Sequence, residues 1–137
     1  MKLDLSSLEK AVSSLERALN VSASGKNADA DSREVIRAGV IQNFEFTYEL
    51  CWKFMKRWLE GNLGATYVDG VSRRELFRIA AESRLITDVE QWVKYHNARN
   101  ETAHTYDSAK AGEIAAVAAV FAGDAKKLLQ ILQSRND

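Results

Sequence analysis

Residues 99–106 bring more reactive side-chain types together than any other stretch of this chain. Arg99 supplies a guanidinium, Asn100 an amide, His104 an imidazole and Tyr106 a phenol. The planar guanidinium is always charged and fits phosphate oxygens, and an imidazole both takes and gives protons near neutral pH. Attack by a ribose 2′-hydroxyl on phosphorus needs a proton acceptor, a proton donor and a cation, none of which has to be a metal ion. The segment therefore predicts metal-independent cleavage of a phosphodiester.

The spacing of Arg99 and His104 constrains the helix that carries them. Five positions along a straight α-helix correspond to a rotation of about 140°, so the two side chains would not share a face. We therefore expect the helix to end or loosen between them. Asp107 and Ser108 are favoured N-cap types, and they predict a break just after Tyr106.

An unbroken helix is the alternative. It would align His96, Asn100 and His104 at a spacing of four residues, with Arg99 beside His96. Arg99 would then meet the His104 of a second subunit, in a two-fold dimer that doubles the cations in one cleft. Taken singly, Arg99 is also explained by a salt bridge with Glu101, Asp107 or a neighbouring helix, and His104 by helix capping.

The segment resembles the Arg-x4-His-x-Tyr motif of the HEPN family. It is most similar to the subgroup paired with minimal nucleotidyltransferases, first described as nucleotidyltransferase substrate-binding proteins. Residues 44–53, FEFTYELCWK, resemble the signature helix of that subgroup, and Trp92 stands seven positions before Arg99 as it does there. The resemblance covers roughly residues 35 to 132.

This resemblance implies a function and a partner. Arg99 and His104 would be the catalytic pair of a metal-independent RNase toxin, with RNA as substrate. Tyr106 would be modified by the partner nucleotidyltransferase, which acts as the antitoxin; alternatively, the Tyr106 ring packs against the last helix. Glu49 and Lys53 resemble an acid-and-lysine pair that accompanies the Arg-His site in several HEPN branches. The candidate substrate-binding residues are Asn100, Lys53, Glu49 and His96.

Two non-catalytic functions fit the same residues. The chain would then be a binding subunit that presents a nucleotide or acceptor to a separate nucleotidyltransferase, using the same polar cleft. A third hypothesis is a structural partner that only occupies and regulates that enzyme. Residue types alone separate the RNase from the binding subunit poorly.

Composition narrows the class of protein. A length of 137 residues suits one domain spanning 1–137, and 46% hydrophobic residues exclude general disorder. We expect a soluble, cytoplasmic protein, because no apolar run approaches the roughly 18 residues of a membrane span and the N-terminus lacks a secretory pattern. Lone Cys51 predicts a small buried hydrophobe. His96 and His104 would lie about 12 Å apart on a straight helix, so we expect neither a metal site nor a cofactor.

Charge argues against general nucleic-acid binding. Nineteen Lys and Arg balance nineteen Asp and Glu, so the chain has no global positive field to attract RNA. A local basic cluster is still sufficient for a few phosphate contacts. The available basic residues are Lys53, Lys56, Arg57, Arg73, Arg74, Arg78 and Arg84.

The elements that must position the motif are helices. Proline is absent, and a capping residue followed three positions on by Glu occurs at Ser6, Asp31, Ser72 and Thr87. Helices are predicted over residues 6–21, 32–60, 72–83, 88–103 and 108–133, the second ending at Gly61. Four long helices and one short one predict an all-α fold, an antiparallel up-down four-helix bundle with an additional short helix.

The second helix has two apolar sides. One carries a core seam of residues at three-four spacing: Ile41, Phe44, Tyr48, Cys51, Met55 and Trp58. The other carries Phe46, Leu50 and Phe54, which pack on the third helix or on a second subunit; we favour a homodimer interface. The tryptophans Trp52, Trp58 and Trp92 fall at core spacing and predict buried anchors.

Overall fold

The computed structural model describes residues 2–137, and over these residues the chain forms five α-helices and two short 3₁₀ turns. The helices are α1 (Ser6–Ser24), α2 (Ala30–Leu63), α3 (Arg73–Glu82), α4 (Val89–Asn100) and α5 (Ser108–Ser134). The 3₁₀ turns are Ala65–Tyr67 and Glu101–His104. Helices α1, α2, α4 and α5 form the bundle and the short α3 packs mainly on α4. The predicted all-helical fold is confirmed.

Helix ends differ from the prediction by a few residues. Helix α2 runs past Gly61 and ends at Gly64, whose φ of 104° is open to glycine and strained for other residues. Its N-cap is Asp29, whose side chain accepts from the backbone N–H of Ser32. Asp88, one residue after the predicted Thr87, caps α4 in the same way. Capping by Ser72 and by Asp107 is confirmed.

Helix α2 supplies the centre of the core and is covered on several sides. It contacts α1, α5, α4, α3 and the first 3₁₀ turn. Phe54 is 2% exposed and belongs to the core, so the prediction that it lies at a subunit interface is wrong. Leu50 is half-buried and Phe46 is 61% exposed, so the second apolar side is not one continuous exposed surface.

An aromatic cluster fixes α4 against α2 and α5. The ring of Phe121 lies at its centre, with centroid distances of 5.0 Å to Tyr95, 5.2 Å to Phe44 and 5.8 Å to Trp92. All three pairs are edge-to-face, a favourable arrangement of aromatic rings. Trp92 is buried as predicted, and this packing holds the face of α4 that carries His96 and Arg99 close to α2.

Two sequence predictions about single features can also be compared with the structure. Cys51 is fully buried, as predicted, and burial raises the pKa of its thiol. Within residues 2–137, no helix combines the length and apolarity that a membrane span requires.

Candidate functional site

The helix that carries the motif changes its geometry between Arg99 and His104. The α-helical part of α4 ends at Asn100, and residues 101–104 continue as a 3₁₀ turn. The hydroxyl of Thr102 donates to the carbonyl of Arg99 at 2.8 Å, which supports the turn with a side-chain hydrogen bond. Loosening of the helix is therefore confirmed, and the alternative of an unbroken α-helix through His104 is wrong.

Arg99 is paired with Glu49 of α2. The Nε atom of Arg99 lies 3.2 Å from Oε1 of Glu49, and each side chain is about one third exposed. The contact is an ion pair and not a hydrogen bond, because the buried N–H of Nε is not aligned with an acceptor. The terminal nitrogens of Arg99 donate to no residue in the described part of the chain. Side-on pairing leaves the fork of the guanidinium available.

The expected local partners of Arg99 are engaged elsewhere. Glu101 pairs with Lys110 of α5 at 3.4 Å, and Lys110 also pairs with Glu113 at 3.2 Å. Asp107 accepts from backbone N–H groups at the start of α5. Among the partners considered from the sequence, the neighbouring-helix acid is therefore the one observed.

Trp52 and Arg73 extend the Glu49–Arg99 pair into a larger polar cluster. The other oxygen of Glu49, Oε2, accepts from the indole N–H of Trp52 at 3.1 Å. The guanidinium carbon of Arg73 lies 3.4 Å from the centroid of the Trp52 ring, in a cation–π stack. Trp52 is half-buried, so its prediction as a plain core anchor is incomplete. The sequence predicts Arg73 only as one of several basic residues at the start of α3, because its contact with Trp52 of α2 is a tertiary one.

His96 is bracketed at both ring nitrogens. The Tyr48 hydroxyl lies 2.8 Å from Nδ1, and the Asn100 amide nitrogen lies 3.4 Å from Nε2. Burial lowers the pKa of His96, and the positive charges of Arg73 and Arg99 lower it further against the opposing effect of Glu49. Burial also raises the pKa of Tyr48, so its phenol keeps its proton even further above neutral pH than an exposed tyrosine does. The sequence predicts Tyr48 only as a core residue, so it does not reveal the contact between the Tyr48 hydroxyl and His96.

The remaining candidates lie on the surface. Lys53 is exposed, with its ammonium 5.7 Å from the centroid of the Trp52 ring. His104 is exposed, and its ring meets that of Tyr106 edge-on at 6.2 Å. Tyr106 is 87% exposed, so it does not pack its ring against α5. Within one chain the structure brings Glu49, Arg99, His96 and Asn100 together, and no hydrogen bond joins His104 to Arg99 among the described residues.

Two open grooves lie beside the start of α2 and of α5. One of about 620 Å³ includes Lys26, Arg33 and Arg37, and one of about 410 Å³ includes Glu45 and Thr105. Neither of these two grooves is lined by Arg99 or His104. Over residues 2–137, no three His, Cys, Asp or Glu side chains lie close enough together to hold a metal ion.

Comparison with known proteins agrees with the fold. The chain is 36% identical over 140 residues to a Haemophilus influenzae protein named probable ribonuclease HepT, and the alignment covers 98% of this chain and 95% of the relative.

Two solved structures share the fold. One, from Haemophilus influenzae, is described as the fold of a substrate binding domain of a nucleotidyltransferase; its TM-score is 0.89, at 33% identity, over 95% of this chain and 99% of that one. A Thermus thermophilus protein has a TM-score of 0.75, at 26% identity, over 91% of this chain and 98% of that one. The family described as "Nucleotidyltransferase substrate binding protein like" matches residues 3–134, nearly the whole chain, and this chain therefore belongs to that family.

Proposed function

We propose that this protein is a metal-independent endoribonuclease that acts in the cytoplasm as the toxin of a two-component toxin–antitoxin pair. One observation carries the proposal: Glu49 holds Arg99 by its Nε edge and leaves the terminal nitrogens without a partner among the described residues. A guanidinium fixed in this way can receive two phosphate oxygens without giving up its own support. The name of the Haemophilus relative, a probable ribonuclease, supports the same class of reaction.

The proposed reaction assigns a task to each motif residue. His104 accepts the proton of the ribose 2′-hydroxyl, whose oxygen forms a new bond to phosphorus. The bond from phosphorus to the 5′-oxygen breaks, and an imidazolium returns a proton to that leaving oxygen, giving a 2′,3′-cyclic phosphate and a free 5′-hydroxyl. Arg99 stabilises the charge on the pentacovalent phosphorus, and the Asn100 amide orients the phosphate.

A homodimer would complete this site. His104 makes no hydrogen bond to Arg99 within the described part of one chain, so the catalytic pair needs either a substrate or a second subunit to bring it together. A two-fold axis beside residues 99–106 would bring two copies of each side chain into one cleft. Two imidazoles would then divide the acceptor and donor tasks between them.

Control of the toxin would come from a nucleotidyltransferase partner, in line with the family's description. The Tyr106 hydroxyl is exposed and its ring touches that of His104. A nucleotidyl group attached there would place a phosphate charge beside the motif and block access to His104.

A second candidate function is a non-catalytic binding subunit of a nucleotidyltransferase. The specific observation in its favour is the resemblance to the Haemophilus structure described as a substrate binding domain. Arg99, Asn100 and His96 would then contact a nucleotide, with Glu49 and Lys53 at the edge, and no bond would be broken.

Cleavage by the purified protein separates the two functions. The protein alone should cut total cellular RNA in the presence of EDTA and leave 2′,3′-cyclic ends. His104→Ala protein purified in parallel is the control for contaminating nucleases. Equal cleavage by the two preparations, or none by either, would reject the RNase and favour the binding subunit.

A further inference from the structure

Arg73 has a guanidinium that the fold leaves largely unsatisfied. It stacks on Trp52, yet it makes no hydrogen bond and no ion pair with residues 2–137. Its Nη1 atom is buried without a partner. A guanidinium has five N–H donors, and an unbonded donor withdrawn from water is unfavourable. Unlike Arg99, which has Glu49 as an ion-pair partner, Arg73 has neither a hydrogen bond nor an ion pair among the described residues.

The charges around Arg73 do not balance. Arg73 and Arg99 carry two positive charges, and among the described residues Glu49 is the one carboxylate that acts on both. His96 adds no charge at neutral pH, because burial and the two arginines lower its pKa. The cluster therefore has an excess of one positive charge at a partly buried place, where attraction to an anion is screened less than in open solvent.

Trp52 connects the two arginines. Its ring face carries Arg73, and its indole N–H binds the same carboxylate that holds Arg99. The stack restricts Arg73 to a plane, so less conformational freedom is lost when it binds a ligand. Arg74 and Arg78, on the same helix, are instead paired with Glu90 and Glu75. The difference singles out Arg73 from its helical neighbours.

We propose that Arg73 is a phosphate-binding residue, which holds a phosphate group of the RNA together with Arg99 while Trp52 serves as its platform. The inference rests on the proposed function for the source of the phosphate, since a nucleotide would present the same chemistry. Binding of the anion itself requires no cleavage.

The chain offers a direct probe, because His96 and His104 are its only two histidines. In a His104→Ala background the remaining imidazole NMR signals belong to His96. Titration with inorganic phosphate at constant ionic strength should shift these signals in a saturable way, and the bound anion should raise the pKa of His96.

Arg73→Gln should weaken phosphate binding about tenfold or more, as expected for a lost charged hydrogen bond. Arg73→Lys keeps the charge but loses the planar stack, and should fall between the parent and Arg73→Gln. Arg78→Gln, which removes an ion-paired arginine of the same helix, is the matched control and should bind as the parent does. Equal affinity of the parent and Arg73→Lys, or of the parent and a folded Arg73→Gln, would overturn the inference.

Two further ligands identify the source of the phosphate. A 2′-O-methyl RNA tetranucleotide, which cannot be cleaved, should lose affinity by a similar factor in Arg73→Gln, and ATP should be affected less. If Arg73→Gln weakens the binding of ATP but not of the RNA, RNA is not the source of the phosphate. If phosphate binding depends on Arg73 but the protein has no RNase activity, the proposed function is contradicted and the anion site is still supported. RNA cleavage with no such dependence would reject the site alone.

Discussion

Glu49 approaches Arg99 from the side, with Oε1 3.2 Å from Nε, and the carboxylate is itself fixed by the indole N–H of Trp52. The pair joins α2 to α4 across 50 positions of sequence. An end-on pair would occupy the terminal nitrogens, which are the atoms that match a phosphate. Glu49 therefore fixes the geometry of Arg99 without occupying its terminal nitrogens.

Glu49→Gln should lower kcat/KM for RNA cleavage about tenfold, because an amide cannot hold the guanidinium by charge. Arg99→Ala should lower it by roughly a hundredfold or more, since it removes the stabilising cation itself. Glu45→Gln, one turn earlier on α2, is the matched control and should cleave as the parent does. An unchanged rate in Glu49→Gln would show that Arg99 needs no such support.

His104→Ala should abolish RNA cleavage and toxicity in growing cells, with a loss of about 3 kcal/mol or more in transition-state stabilisation. Thermal unfolding should stay at the parental temperature, because the His104 side chain is exposed. Growth curves and calorimetry on the same variant check the two halves of this prediction. If the His104→Ala protein is still toxic, the imidazole has no part in the mechanism.

Tyr106→Phe should leave the protein toxic even beside an active nucleotidyltransferase partner, because it removes the acceptor oxygen and keeps the ring. Peptide mass spectrometry of the parent, purified with and without the partner, should find an added nucleotide within residues 99–110 only when the partner is present. A fully neutralised toxin with unmodified Tyr106 contradicts this form of control.

Phe54→Ala should lower the free energy of unfolding by about 3–5 kcal/mol, because the ring is 2% exposed and its removal leaves a cavity. Phe46→Asp, on the same helix but 61% exposed at this position, should unfold like the parent and weaken the dimer. Light scattering at micromolar concentration measures the second effect. A parent protein that is monomeric there would exclude the two-fold site.

Acidification should destabilise the fold through His96. Burial, reinforced by Arg73 and Arg99, lowers its pKa below the ordinary value of 6.5, so the unfolded chain binds a proton more readily than the folded one. The stability that this histidine contributes is present above about pH 6.5 and is lost as the pH falls through the folded pKa. Melting temperatures at pH 7.5, 6.5 and 5.5 should fall less steeply for His96→Gln than for the parent. Parallel curves would contradict the shift.

Local patterns in the sequence were enough to predict the helices. Apolar spacing follows the helical repeat, and the Ser72 and Asp107 caps depend only on residues a few positions away. The sequence does not locate the end of α2, because Gly61 and Gly64 are both able to cap a helix. The choice between them depends on the backbone at Gly64, which alone takes a positive φ.

Contacts between distant residues limited what the sequence could predict about the site. Arg99, His104, Asn100 and Tyr106 are found together because they are neighbours in the chain. The partnership of Arg99 with Glu49 was visible only as a resemblance. The stack of Arg73 on Trp52 depends on how α3 returns to α2, which no spacing rule encodes. The prediction for Phe54 is wrong for the same reason, since its burial depends on neighbours outside its own helix.

The two halves of the motif belong to regions of unequal local stability. Arg99 lies in α4, which the aromatic cluster packs against its neighbouring helices. The turn from residue 101 to residue 107 buries no side chain, and the ion pair between Glu101 and Lys110 connects it to α5. Such contacts are weakened by dissolved salt, and segments of this kind open at little free-energy cost. An enzyme acting on the exposed Tyr106 would therefore disturb only this turn, while the bundle and its arginine stay in place.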